Sequence, residues 1–248
     1  LTAAEVQAME PQTKLNIRGA LYFQCDTHLY PQKLMQGLRQ LLENRGVEFR
    51  PSAQVTGFVK KGTAVQKVIT SQSVYDADLV VMATGSWTPE LVRHLGIRIP
   101  LVPGRGYSVT LEDSPFQLNY PAVLQEGRVA ITPMDGNKIR FGGTMEITSI
   151  KTPPRMNRVR GILESVQRYL PEFNIPIPAE KDVWYGYRPC SADGLPYIGR
   201  IKDNVLLASG HAMIGLSLGA GTGKLIAALA NHETPDVDLA PFDPLRFS

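Results

Sequence analysis

The stretch Trp184-Tyr-Gly-Tyr-Arg-Pro-Cys-Ser-Ala-Asp-Gly-Leu-Pro-Tyr-Ile-Gly199 is followed, after a short charged step, by Asn204-Val-Leu-Leu-Ala-Ser-Gly-His-Ala-Met-Ile-Gly-Leu-Ser-Leu-Gly-Ala-Gly-Thr-Gly-Lys224. In order, it reads as a guanidinium held in a turn, a short buried strand over Val205–Ala208, and a Gly-rich helix running from about Gly215 to Asn231. Pro189 and the Asp193-Gly194 turn fix the backbone around Arg188, and a rigidly presented guanidinium is a good two-pronged partner for a carboxylate. A structural pairing with Asp193 or a backbone carbonyl is the competing reading. The helix start near Met213–Leu216 offers free N–H groups and a partial charge of about +0.5, which favours an anion or an electron-rich ring oxygen. The combination suits a carboxylate held beside a large anionic cofactor.

The glycines themselves match neither phosphate-binding pattern. Gly219-Ala-Gly-Thr-Gly-Lys224 has Leu218 where a phosphate loop needs Gly, and Leu225 where it needs Ser or Thr. A dinucleotide fingerprint would need Gly at position 226, which is Ile. A small-residue helix face that lets another backbone approach closely remains, and it is compatible with a cofactor lying across the helix start. His211, at the strand-to-helix corner, reads as a capping residue. None of His28, His94, His211 and His232 has metal or nucleophile-elbow spacing, so the chemistry must come from a bound cofactor.

Working outward, Ala77-Asp-Leu-Val-Val-Met-Ala-Thr-Gly85 is a continuous apolar run typical of a central parallel strand buried on both faces, and Trp87–Leu95 reads as a short helix. Pro31 and Gly46 bracket an amphipathic helix with Leu34, Met35, Leu38, Leu41 and Leu42 on one face. Val47–Arg50, Ser52–Val59 and Val65–Thr70 read as strands, with a hairpin turn at Lys60-Lys61-Gly62. From Pro100 to about residue 150 the pattern becomes antiparallel, with strands at Gly106–Leu111, Ala122–Leu124, Arg128–Pro133 and Lys138–Met145. A second amphipathic helix follows over 154–170. Two strand–Gly–helix units, at 77–95 and 205–231, therefore flank an antiparallel block. That is an α/β domain with an inserted α+β domain.

The bulk numbers bound the class. The 248 residues carry a formal charge of +3, too small to imply nucleic acid, with 43% hydrophobic and 20% charged residues, as in ordinary globular chains. Cys25 and Cys190 fit no metal spacing and read as free thiols of a reducing compartment. No apolar run approaches the ~18 residues of a membrane span. The opening Leu-Thr-Ala-Ala-Glu-Val is not a signal peptide, and the missing initiator Met points weakly to processing or trimming.

On Gly186-Tyr-Arg-Pro-x-x-x-Asp-Gly-x-Pro-x-Ile-Gly199, Gly210-His-x-x-x-Gly215, Ala77–Trp87 and Pro103-Gly-Arg-Gly-Tyr107, the chain resembles the FAD-dependent glycine oxidase, sarcosine oxidase and D-amino-acid dehydrogenase family. The resemblance implies a partial FAD-binding domain, Rossmann-like and of the glutathione-reductase type, over 1–99 and 183–248, and an antiparallel-sheet substrate domain over 100–182. It implies that Val55 touches the adenine side of FAD, and that Ala83, Thr84, Gly85 and Trp87 line the cofactor. Gly210, His211, Met213, Ile214, Gly215 and Leu216 would lie along the isoalloxazine, and Arg188 would clamp the substrate carboxylate. The implied reaction is oxidative deamination of a D-amino acid. Hydride passes from the α-carbon to flavin N5, and the imino acid hydrolyses to a 2-keto acid and ammonia. Oxygen or a quinone accepts the electrons, with no protein general base required. Glycine or sarcosine oxidation is the alternative. Family members begin with Gly-x-Gly-x-x-Gly, which this chain lacks. The expectation is therefore a fragment, or one chain of a split enzyme whose missing N-terminal half or partner subunit holds the flavin, or a non-catalytic subunit. A pocket tyrosine of the oxidases falls here at Ala130 or Ile131. Of Tyr107, Tyr185 and Tyr187, two are expected in the core. The expected location is cytoplasmic, with a peripheral place at the inner membrane as the variant.

Overall fold

The computed structural model describes residues 1–247. In chain order, the elements are α1 (Ala3–Met9), α2 (Pro31–Asn44), β1 (Val55–Lys61), β2 (Ala64–Thr70), β3 (Val74–Asp76), β4 (Val80–Met82), α3 (Thr88–Arg93), β5 (Leu101–Leu111), β6 (Ala122–Leu124), β7 (Val129–Met134), β8 (Lys138–Ile147), α4 (Met156–Tyr169), β9 (Trp184–Ser191), β10 (Tyr197–Lys202), β11 (Val205–Ser209) and α5 (Gly215–Ala230). Three sheets form, in the orders β1-β2-β3, β10-β11-β4 and β6-β7-β8-β5-β9. The architecture is mixed α/β. The chain divides into two compact units, Leu1–Leu29 with Arg105–Tyr187, and Tyr30–Gly104 with Arg188–Ser248, and the division falls inside β5 and β9. Among the described residues, no helix is long and apolar enough to cross a membrane, and no His, Cys, Asp and Glu cluster could hold a metal.

The first unit closes around one core. α4 presents Val159, Ile162, Leu163 and Val166 to Tyr107, Val109, Val129, Ile131, Ile139 and Phe141, the inward alternation of its strands. Beneath this layer the fully buried Arg105 donates to Glu146 (3.1 Å) and to the carbonyls of Thr152 (2.6 Å) and Pro153 (2.8 Å). The Tyr107 hydroxyl donates to the same carboxylate at 2.9 Å. Leu1–Leu29, expected with the second unit, belongs here. Glu10 accepts the N–H groups of Asn119 and Tyr120, and Thr13 donates to Gln117 O at 2.5 Å. Asn16 N–H reaches Tyr169 O at 2.8 Å. These long-range bonds have no local sequence signature. The later boundary likewise moves from 182 to 187 because β9 continues the sheet.

The second unit holds the other two sheets. Asn204 joins them as if it were a strand residue. Its Oδ1 accepts Val65 N–H at 2.8 Å, and its Nδ2 donates to Val65 O at 2.6 Å and Asp78 O at 3.0 Å. α2 ends as expected at Gly46. There φ is +85°, Gly46 N–H bonds Glu43 O and Val47 N–H bonds Leu42 O, the paired closure that a left-handed glycine permits. Two expectations need correcting. Val47–Arg50 is not a strand, because no described strand supplies its ladder. The run Ala77–Gly85 yields only the short β4, an edge strand with Leu79 and Val81 exposed, rather than a central strand covered on both faces. The apolar stripe of α2 is also exposed throughout.

Candidate cofactor and carboxylate site

All of the residues proposed for ligand contact fall in the second unit. Two parallel strands organise most of them. β4 and β11 run side by side, Val80 opposite Val205 and Met82 opposite Leu207, so their carboxyl ends lie together. Each strand then breaks at a left-handed glycine, Gly85 (φ +51°) and Gly210 (φ +86°). Hydroxyls stitch the two corners. Ser209 Oγ donates to Gly85 O at 3.2 Å, Thr88 Oγ1 donates to Ser209 Oγ at 3.0 Å, and Thr84 and Thr88 share a 2.9 Å bond. In open α/β sheets, ligands settle outside such carboxyl ends. The structure thus brings Ala83, Thr84, Gly85 and Trp87 beside the turn that starts at Gly210. Val55 is placed elsewhere, at the start of β1 opposite Thr70 in a different sheet.

The turn from Gly210 to Gly215 is tightly specified. Its backbone is pinned to the end of β9 by an antiparallel bridge between Cys190 and His211 and by Ala212 N–H donating to Pro189 O at 2.9 Å. Ala212 sits at φ +46°, a left-handed conformation that costs a side-chain-bearing residue of order 1 kcal/mol or more. A Cβ at Gly210 would come within 2.9 Å of the Tyr197 ring. His211 Nε2 bonds Thr222 Oγ1 at 2.8 Å, tying the turn to the body of α5. This is a brace, where the sequence suggested a cap. Burial pushes the imidazole pKa down, so it is neutral at pH 7.

α5 opens without a side-chain cap. Ile214 at its N-cap provides none, and the first return bond is Leu218 N–H to Ile214 O. The preceding helical N–H groups therefore have no partner within the helix. Around them stand Met213, 70% exposed, with Ile214 and Leu216 also exposed. Apolar side chains ringing free donors and a helix-dipole terminus fit a flat ring with an electron-rich edge. The flavin ring system is of that kind. Gly219, Gly221 and Gly223 have nothing within 4 Å of their would-be side chains, so no described backbone approaches that face.

Arg188 lies within strand β9, not in a turn; the turn comes later, at Asp193-Gly194. Its Nη1 is buried and has no hydrogen-bond partner among the described residues. Asp193, the carboxylate that the sequence offered as a competing partner, is bonded to Arg246 through two bonds of 2.8 and 2.9 Å. Arg246 was invisible to sequence reasoning because it lies in a tail without a motif. Of the three tyrosines, Tyr107 is fully buried, Tyr187 is half-buried with its hydroxyl on Ile150 O (2.9 Å), and Tyr185 is exposed.

A D-amino acid dehydrogenase of Granulibacter bethesdensis is 32% identical over 227 residues, covering 90% of this chain and 52% of its own length. A glycine oxidase of Pseudomonas aeruginosa is 30% identical over 243 residues, covering 97% of this chain and 66% of its own. The crystal structure of glycine oxidase from Geobacillus kaustophilus superposes with a TM-score of 0.88 at 26% identity, over 99% of this chain and 66% of that one. The chain spans about half the length of the D-amino acid dehydrogenases it matches. Residues 1–229 match the family described as DAO, FAD dependent oxidoreductase, and to that family of FAD-dependent enzymes the chain belongs.

Proposed function

We propose that this chain supplies the carboxylate clamp and the ring-facing turn of an FAD-dependent oxidoreductase that oxidises a D-amino acid to its imino acid, which water converts to a 2-keto acid and ammonia. The observation that carries the reading is the buried Arg188 Nη1, which has no hydrogen-bond partner among the described residues, while Asp193 is bonded to Arg246. On this reading the second unit is the part of the flavin-binding domain that follows its fingerprint half. The first unit is the substrate domain.

The residues would act as follows. Arg188 binds the substrate carboxylate and so orients the α-carbon. The free N–H groups opening α5 face the electron-rich edge of the ring. Met213, Ile214 and Leu216 exclude water from it. His211, uncharged and bonded to Thr222, braces the turn. A flavin bound there supplies the two-electron oxidation of the substrate's Cα–N bond.

The test is a visible spectrum with FAD supplied, followed by anaerobic titration with D-amino acids, for the wild type and Arg188→Lys. A lysine keeps the charge and loses the fork. Losing one charge-assisted bond costs about 1.5–3 kcal/mol, so half-bleaching should require roughly ten- to hundredfold more substrate at equal flavin content. An unchanged titration would remove Arg188 from the role.

A further inference from the structure

Arg246 is remote in sequence from every residue assigned above, yet its guanidinium grips both walls of the site. The first wall is the segment that carries Arg188. Arg246 Nε and Nη2 hold the two oxygens of Asp193, and Nη2 and Nη1 donate to Leu195 O (2.8 Å) and Pro196 O (3.3 Å). Together these bonds clasp the turn that closes β9. The second wall is the turn from Gly210. The guanidinium carbon lies 4.1 Å from the centroid of the Tyr197 ring, and the edge of that ring is what Gly210 rests against, 2.9 Å from where a Cβ would stand. The Tyr197 hydroxyl donates to Pro100 O at 2.8 Å, so the ring cannot swing away about its far end. The tail itself is seated independently. Nη1 returns to Asp243 O at 3.0 Å, and Pro244 packs on Gly199 so closely that a Cβ there would be 2.7 Å from its ring. Only 13% of the Arg246 side chain is exposed.

Such a residue could simply fasten the tail. Its contacts argue for more, because a tail fastener needs no aromatic ring that in turn abuts a left-handed glycine. We propose that Arg246 is a positioning residue, which sets the Gly210–Gly215 turn against the Arg188 strand by holding Asp193 and Tyr197 at once. The functional consequence rests on the reading of Arg188 and the α5 start given above, whereas the mechanical coupling does not. Asp193 is well suited to the task. Its bonds to Arg246 bring its carboxyl down to about 2, so the pair stays charged at any pH at which the protein would be handled.

The test is amide hydrogen exchange on the full chain, comparing wild type, Arg246→Ala and Arg246→Lys. The reporters are Ala212 and Ile214, whose N–H groups bond Pro189 O and His211 O. The controls are Leu206 and Leu207 in buried β11. Arg246→Ala should speed exchange at Ala212 and Ile214 by about tenfold or more with the controls unchanged, as for a local opening. Lysine, without the planar fork, should recover only part of the protection. Uniform acceleration across reporters and controls, acceleration confined to residues 240–247, or no change would each overturn the proposal. Should Arg246→Ala fail to fold, Asp193→Asn removes one grip and leaves the ring contact, and a smaller acceleration at the same two amides is expected. FAD fluorescence titration is the separate functional arm. A wild-type chain that takes up no FAD would match a chain without its fingerprint half, and the exchange result would still decide the coupling.

Discussion

α4 in the first unit and α2 in the second announce themselves alike in sequence, as two amphipathic helices with apolar residues on one face. α4 buries its stripe against the five-stranded sheet, with Val159 and Val166 inaccessible. α2 has no buried residue at all, and α5 buries only Ile226. The first unit thus covers its helix, while in the second the apolar face of α2 is uncovered among the described residues, although α5 sets Ile226 against Ile198 and Leu206. Periodicity establishes that a helix has a face to bury, but whether anything lies opposite is a separate, tertiary fact. An isolated helix shorter than ~12–15 residues is marginal in water, so α2 leans on its Pro31 start and Gly46 closure more than on packing.

The sharpest way to break this contrast is a pair of truncations. Phe141→Ala, at the centre of the first core, should cost about 3–5 kcal/mol in urea unfolding. Leu38→Ala on α2 should stay within about 0.5 kcal/mol, as at an exposed site. Equal costs would show that the face of α2 is packed as well as the first core.

Next in size is the ion pair under the first core. Burial pushes the Glu146 carboxyl up. The Tyr107 hydroxyl and the Arg105 guanidinium more than reverse that, and the group ends below the usual carboxylate range. A carboxyl lowered by folding stabilises above its unfolded pKa, and that stability is lost as pH falls through the folded value. Glu146→Gln should cost about 3 kcal/mol near neutrality and flatten the acid limb of the first unit's unfolding curve. A limb of unchanged slope would locate the acid sensitivity elsewhere.

The smallest effect concerns the second unit. Burial lowers the His211 pKa, so the folded state binds fewer protons than the unfolded one as pH drops below about 6.5. The second unit should therefore lose a little stability, about 1 kcal/mol or less, between pH 7.5 and 5.5. His211→Gln should abolish that slope. A slope that survives the substitution would assign the sensitivity to another group.

Much of the fold was legible. α2, α4 and α5 fall close to where apolar spacing and flanking Pro or Gly put them. The turn at Asp135-Gly136 follows from residues suited to it, with Gly136 at φ +69°. The two strand–Gly–helix units do place β4 and β11 side by side and parallel. Other features depended on partners remote in the chain. α1 is defined by the Thr2–Glu5 capping box and held through Glu10 to Asn119. The segment around Arg188 is a strand because β5 pairs with it, whereas its Pro and Gly content suggests a turn. The site was legible to the same degree. Its glycine corners stand out in sequence, but the unpartnered Nη1 of Arg188 does not, and neither does the bond between Asp193 and Arg246.

Asn204 makes the join between two sheets depend on the chemistry of one side-chain amide. Its side-chain amide completes the join between two sheets by donating to two carbonyl oxygens and accepting one N–H. Hydrolysis of that single amide would leave an acceptor facing two acceptors, so slow deamidation on storage would loosen the second unit from within. A carboxylate at this position would thus part the two sheets, at a residue assigned no part in ligand binding.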